Sequence, residues 1–111
     1  MGVEGMEVEA AGEINALKGH HHIIINSDFI DNKNDAIDVS SSSIFIKNCN
    51  IKTSGDKGIS AGEKSNVKVN DCKIYNSTIG VASKDASVVK ISNSVLEENI
   101  IGIGLYNKKE F

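Results

Sequence analysis

The 111-residue chain contains no proline and no tryptophan, only two cysteines, and no arginine, since all 12 of its basic residues are lysines. A formal net charge of −3 excludes a broad basic footprint for nucleic acid. Aromatic residues make up 5% of the chain, which leaves few flat surfaces for stacking on sugars or bases. Two cysteines with no CxxC spacing cannot build a zinc site by themselves. No apolar run approaches the roughly 20 residues of a membrane helix. The acidic opening MGVEGMEVEAAGE lacks the features of a secretory signal. What is present is a globular composition, 40% hydrophobic against 24% charged. At 11.9 kDa it makes one small domain or a fragment of a larger one.

An internal repeat settles the architecture. One phrase recurs as Asn26-Ser27-Asp28-Phe29, Asn48-Cys49-Asn50-Ile51, Asp71-Cys72-Lys73-Ile74 and Asn93-Ser94-Val95-Leu96, at spacings of 22, 23 and 22. A second, a small residue before an aliphatic one, recurs every 22 residues as Ala36-Ile37, Gly58-Ile59, Gly80-Val81 and Gly102-Ile103. Aligning both phrases generates columns. One holds Ile14, Ile37, Ile59, Val81 and Ile103, followed two residues on by Ala16, Val39, Ala61, Ser83 and Leu105. Another holds His22, Ile44, Val67 and Val89, followed by Ile24, Ile46, Val69 and Ile91. The last two are Ser27, Cys49, Cys72, Ser94 and Phe29, Ile51, Ile74, Leu96. Inward positions pair at i and i+2, the period of a strand and not of a helix.

Three short strands in each repeat, parted by Gly, Asn, Ser and Asp, cannot form hairpins and keep every repeat in register. The simplest arrangement is a coil of about four turns in which like columns stack at the spacing of about 4.8 Å between neighbouring strands. A single turn buries too little to offset the ordering of its backbone, so it folds only against its neighbours.

The phrases IKNCNI, VNDCKI and DKGIS resemble the right-handed parallel β-helix repeat of the pectin-lyase-like superfamily, over about residues 14 to 111. The resemblance implies an all-β right-handed solenoid, an extracellular or cell-envelope setting and polysaccharide ligands. It says little about activity, because this scaffold hosts lyases, hydrolases, epimerases, adhesins and binding modules. Residues 1–13 read as an N-terminal segment, a cap or the remnant of a preceding turn, and residues 14–111 as the repeats. The last turn presents an open sheet edge, a place for continuation or self-association.

Several residues are candidates for chemistry. The acidic stretch Asp28, Asp31, Asp35 and Asp38, joined by Asp56 one turn later, leads them. Asp35 and Asp38 flank one corner, and Asp56 lies one position before Lys57, the stacked equivalent of Asp35. Asp35, Asp38 and Asp56, with loop carbonyls, form an oxygen set of the kind Ca²⁺ takes, and calcium is the one cofactor they suggest. The competing reading is a solvated, charged outer face. His20 and His22 point the same way on a strand and could share a metal. Yet His22 falls in an aliphatic column, which favours a partly buried imidazole. Cys49 and Cys72 stack on adjacent turns, within reach of a disulfide, but Ser27 and Ser94 share their column, which favours a small packing slot. The Asn26, Asn48, Asp71, Asn93 column reads as an amide ladder that Asp71 interrupts. Ile23 and Phe45 face outward, as a docking patch or a surface covered by the opening segment with Val3, Met6 and Val8.

For function, the resemblance implies that lyases of the superfamily use arginine, and that its hydrolases combine three Asp with Gly-His-Gly and Arg-Ile-Lys motifs. The chain has no arginine, and Gly19-His20-His21 does not match. The expected role is a non-catalytic structural or carbohydrate-binding module of a larger surface or secreted protein. The alternatives are a fragment of a polysaccharide lyase, hydrolase or epimerase with its catalytic residues elsewhere, or an assembly and adhesion module.

Overall fold

The computed structural model describes residues 6–7 and 14–107, with side chains from 22 to 107. Every regular element among them is a strand. In chain order they are β1 (Met6–Glu7), β2 (Ile14–Ile25), β3 (Asp28–Asn32), β4 (Ile37–Lys47), β5 (Asn50–Ser54), β6 (Lys57–Gly62), β7 (Asn66–Asn70), β8 (Lys73–Tyr75), β9 (Ile79–Lys84), β10 (Val88–Ser92), β11 (Val95–Glu97) and β12 (Ile101–Tyr106). Among the described residues there is no helix, and so none long and apolar enough to cross a membrane.

All pairing is parallel. β4 pairs with β6 over Ile37–Ser40 and with β7 over Ser43–Lys47, so a long strand bends across two faces of the coil. The first face stacks the opening of β2, the opening of β4, then β6, β9 and β12. The second stacks the ends of β2 and β4, then β7 and β10, with β1 outside β2 at Ile24 and Ile25. The third is the four-stranded sheet β3, β5, β8, β11. The columns follow the expected register, with Ile37 opposite Ile59, Ile59 opposite Val81 and Ile51 opposite Ile74. One expected alignment is corrected: Leu17, not Ala16, lies opposite Val39, because an irregularity between Ile14 and Leu17 shifts the register.

The inward columns form one core, in which Ile24, Phe29, Ile37, Ile46, Ile51, Ile59 and Ile74 are fully buried. The small-residue column is forced by contact. A Cβ on Gly58 would stand 2.6 Å from the Gly80 carbonyl oxygen, and one on Gly80 would stand 2.7 Å from that of Gly102.

Each turn bends at three corners, and at each a residue with positive φ precedes a small polar side chain. At the first corner these are Asn26, Asn48, Asp71 and Asn93, with φ of 49–54°. At the second they are Asp31, Thr53, Asn76 and Glu98, and at the third Ser41, Lys64 and Ala86. Several of the residues that follow accept the corner N–H of the turn before. Ser94 Oγ accepts from Cys72 at 3.0 Å, Asn99 Oδ1 from Ser77 at 2.9 Å and Ser87 Oγ from Ser65 at 3.0 Å. A left-handed residue turns the next N–H off the strand ladder, and a buried donor needs an acceptor. That requirement explains why Ser, Cys and Asn recur at these positions.

Candidate functional site

The acidic corner is built where the third face passes into the first. The backbone N–H of Ala36 donates to the carbonyl of Lys57 at 3.0 Å, and that of Asp56 to Asn34 at 3.3 Å, which fixes Asp56 and Lys57 one turn from Asp35. Asp35 Oδ1 accepts the N–H of Lys57 at 3.1 Å. The Lys57 side chain, 11% exposed, turns back between the acids, 2.8 Å from Asp56 Oδ2 and 3.8 Å from Asp35 Oδ1. The corner therefore contains a cation of its own. Asp38, on β4, faces Ser60 across the ladder. Ser60 is fully buried, and its hydroxyl has no hydrogen-bond partner.

The electrostatics follow the packing. Burial pushes the Asp35 carboxyl up. The Lys57 N–H and ammonium pull it back only in part, and the charges of Asp56 and Asp38 add to the rise. Burial draws the Lys57 ammonium down, but the hydrogen bond to Asp56 and the fields of Asp35 and Asp56 outweigh it, so its pKa ends above the ordinary lysine value. Among the described residues, no three or more His, Cys, Asp or Glu side chains are gathered as a metal site.

The cysteines are free, buried thiols. Lys73 N–H donates to the Cys49 carbonyl at 3.0 Å, which sets Cys49 and Cys72 one turn apart. Each thiol also donates to the carbonyl two residues before it, at 3.3 Å. The Cys72 sulfur beside it and burial together push the Cys49 thiol well above the usual thiol range. The amide ladder forms where both members are amides, with Asn48 Nδ2 donating to Asn26 Oδ1 at 2.7 Å. Past Asp71 it is broken, and Asn93 Nδ2 turns to Asn70 Oδ1 at 3.1 Å.

On the second face, Ile23 lies opposite Phe45, and Phe45 opposite Lys68. Both apolar residues are half-buried. They line a groove of about 320 Å³ together with His22, Ser43, Asn66 and Lys68. His22 is 7% exposed, in agreement with its column. The side chains of His20, Val3, Met6 and Val8 lie outside the described residues, and with them the shared-metal and covering readings. Two residues at the acidic corner escaped the sequence reading as site members, Lys57 and Ser60. The signals for them were the alignments of Lys57 with Asp35 and of Ser60 with Asp38.

No curated protein and no solved structure matches the chain. A family model, described as right handed beta helix region, matches residues 5–111. With its parallel stacked turns and its matching repeat, the chain belongs to the right-handed β-helix family.

Proposed function

We propose that the chain is a non-catalytic β-helix module whose outer second face binds a polysaccharide, within a larger surface or secreted protein. The observation that carries this reading is the groove at Phe45. A half-buried ring there stands beside the hydroxyl of Ser43, the amide of Asn66 and the ammonium of Lys68. The ring suits the apolar face of a sugar, the neutral polar groups suit its hydroxyls, and Lys68 suits an acidic sugar. In this reading the acidic corner is a structural ion-pair cluster, with the Lys57 ammonium in the place a calcium ion would take.

Titration calorimetry with a soluble polyuronate oligosaccharide tests the proposal. Saturable heat is expected, weakened at least tenfold by Phe45→Ala and by Lys68→Ala. Equal binding by both variants, or no heat with acidic or neutral glycans, would refute it. Calcium at millimolar concentration is expected to give no saturable heat. A calcium signal abolished by Asp35→Ala with Asp38→Ala would make the corner a metal site instead.

A further inference from the structure

Of the 12 asparagines in the chain, Asn76 alone is followed two residues on by a serine or threonine, in Asn76-Ser77-Thr78. With a residue other than proline in the middle, that triplet is the acceptor pattern for N-linked glycans. It forms the corner between β8 and β9, in the middle of the coil, where the third face passes into the first. Asn76 and Thr78 are exposed there, while Ser77 between them is 3% exposed.

The amide of Asn76 is unlike those around it. Asn48 donates to Asn26, Asn50 to Asp28, Asn93 to Asn70 and Asn99 to the carbonyl of Ile74, each through Nδ2. Among the described residues, no hydrogen bond engages the Asn76 side chain; only its backbone N–H is used, by the carbonyl of Glu97. Its φ of 57° suits an asparagine to the bend, but that need is met by the backbone and leaves the amide unspent. Ser77 anchors the bend from beneath. Its N–H donates to Asn99 Oδ1 at 2.9 Å, and its hydroxyl accepts the N–H of Ser54 at 3.4 Å. The Thr78 hydroxyl makes one exposed bond, to the carbonyl of Gly55 at 3.0 Å. The two groups that an acceptor must present therefore share one exposed bend.

We propose that Asn76 is a modification site that takes an N-linked oligosaccharide. The donor class is an oligosaccharide joined through a diphosphate to a polyisoprenoid lipid. Asn76 Nδ2 forms a bond to the anomeric carbon of the first sugar and gives up one proton. The bond from that carbon to the diphosphate oxygen breaks, and the lipid diphosphate leaves. The corner lies opposite the second face, so the glycan projects away from the groove at Phe45 and leaves it open. This inference rests on the surface or secreted setting proposed above, where such donors are met.

Expression of the full chain behind a secretory leader in a eukaryotic cell tests it. The leader supplies the setting, so a failure at Asn76 is distinct from a failure of that setting. One glycan is expected, released by peptide N-glycosidase and located at Asn76 by peptide mass. Asn76→Gln and Thr78→Val should each abolish it, and Thr78→Ser should retain it. Occupancy is read on cell-retained as well as secreted chain, which keeps the test valid if a variant fails to fold. A chain without the glycan, a glycan at another residue, or occupancy untouched by Thr78→Val would overturn the proposal.

Discussion

Asp35 accepts the backbone N–H of Lys57, one turn further on, at 3.1 Å, and the Lys57 ammonium returns to 3.8 Å from the same carboxylate. Asp35 thereby clamps two turns together. It joins the backbone of one repeat to the next at the corner where the first face begins.

The clamp should leave its mark on the pH dependence of stability. Asp35 is shifted upward from 3.8, so the stability it contributes is complete below that pH and is lost as pH rises through its folded value. Lys57 is shifted upward from 10.5, so its contribution is complete below that pH and is lost at more alkaline pH. In thermal melts, wild type should fall relative to Asp35→Asn as pH climbs from below 3.8 towards neutral. At neutral pH Lys57→Met should cost about 1–3 kcal/mol, because it strands a half-buried carboxylate. That deficit should shrink above pH 10.5. Differences that stay flat with pH would contradict the clamp.

The break in the amide ladder makes Asp71→Asn a stabilising change. The new amide suits the φ of 54° and supplies the donor that the carboxylate lacks. Since the site is exposed, the gain should be about 0.5–1 kcal/mol, read as a rise in the denaturation midpoint. A loss of stability would contradict the ladder.

Thr53 holds a φ of 58°, a conformation that a β-branched residue resists. The same corner carries Asn76 one turn later. Thr53→Asn should therefore stabilise the fold by about 1 kcal/mol, with the native circular dichroism retained. A neutral or negative effect would mean that no strain resides there.

The repeat, the inward columns and the first corner could be read from sequence because they rest on side-chain type at fixed spacing. The column of Asn26, Asn48, Asp71 and Asn93 uses residues that favour a left-handed turn, and so it stood out. The second corner has the same geometry at Asp31, Thr53, Asn76 and Glu98, but Thr and Glu hid it. The small polar residues that follow it were visible five residues after each Ser or Cys of the first corner, at Asn32, Ser54, Ser77 and Asn99. The displacement of Ala16 by Leu17 arises from a backbone irregularity that no residue type announces. At the acidic corner, spacing set Asp35 and Asp38 on either side of one bend and Asp56 one turn later. The return of Lys57 between Asp35 and Asp56 depends on how the chain bends at that corner, which spacing does not encode.

The column shared by Ser27, Cys49, Cys72 and Ser94 makes a prediction of its own. Cys49 and Cys72 are each 1% exposed and unbridged, so a thiol-reactive disulfide reagent should find neither in the native protein and both in denaturant. No thiol released on unfolding would mean a bridge between the turns.

The stacking of equivalent residues is most directly tested by NMR couplings across hydrogen bonds in the isotope-labelled chain. Couplings are expected from the amide of Lys73 to the carbonyl of Cys49, from Val88 to Ser65 and from Val95 to Cys72, each about one repeat apart and in the same sense. Couplings from these three amides to near neighbours in the chain instead, or in the alternating pattern of antiparallel strands, would contradict the coil and every site derived from it.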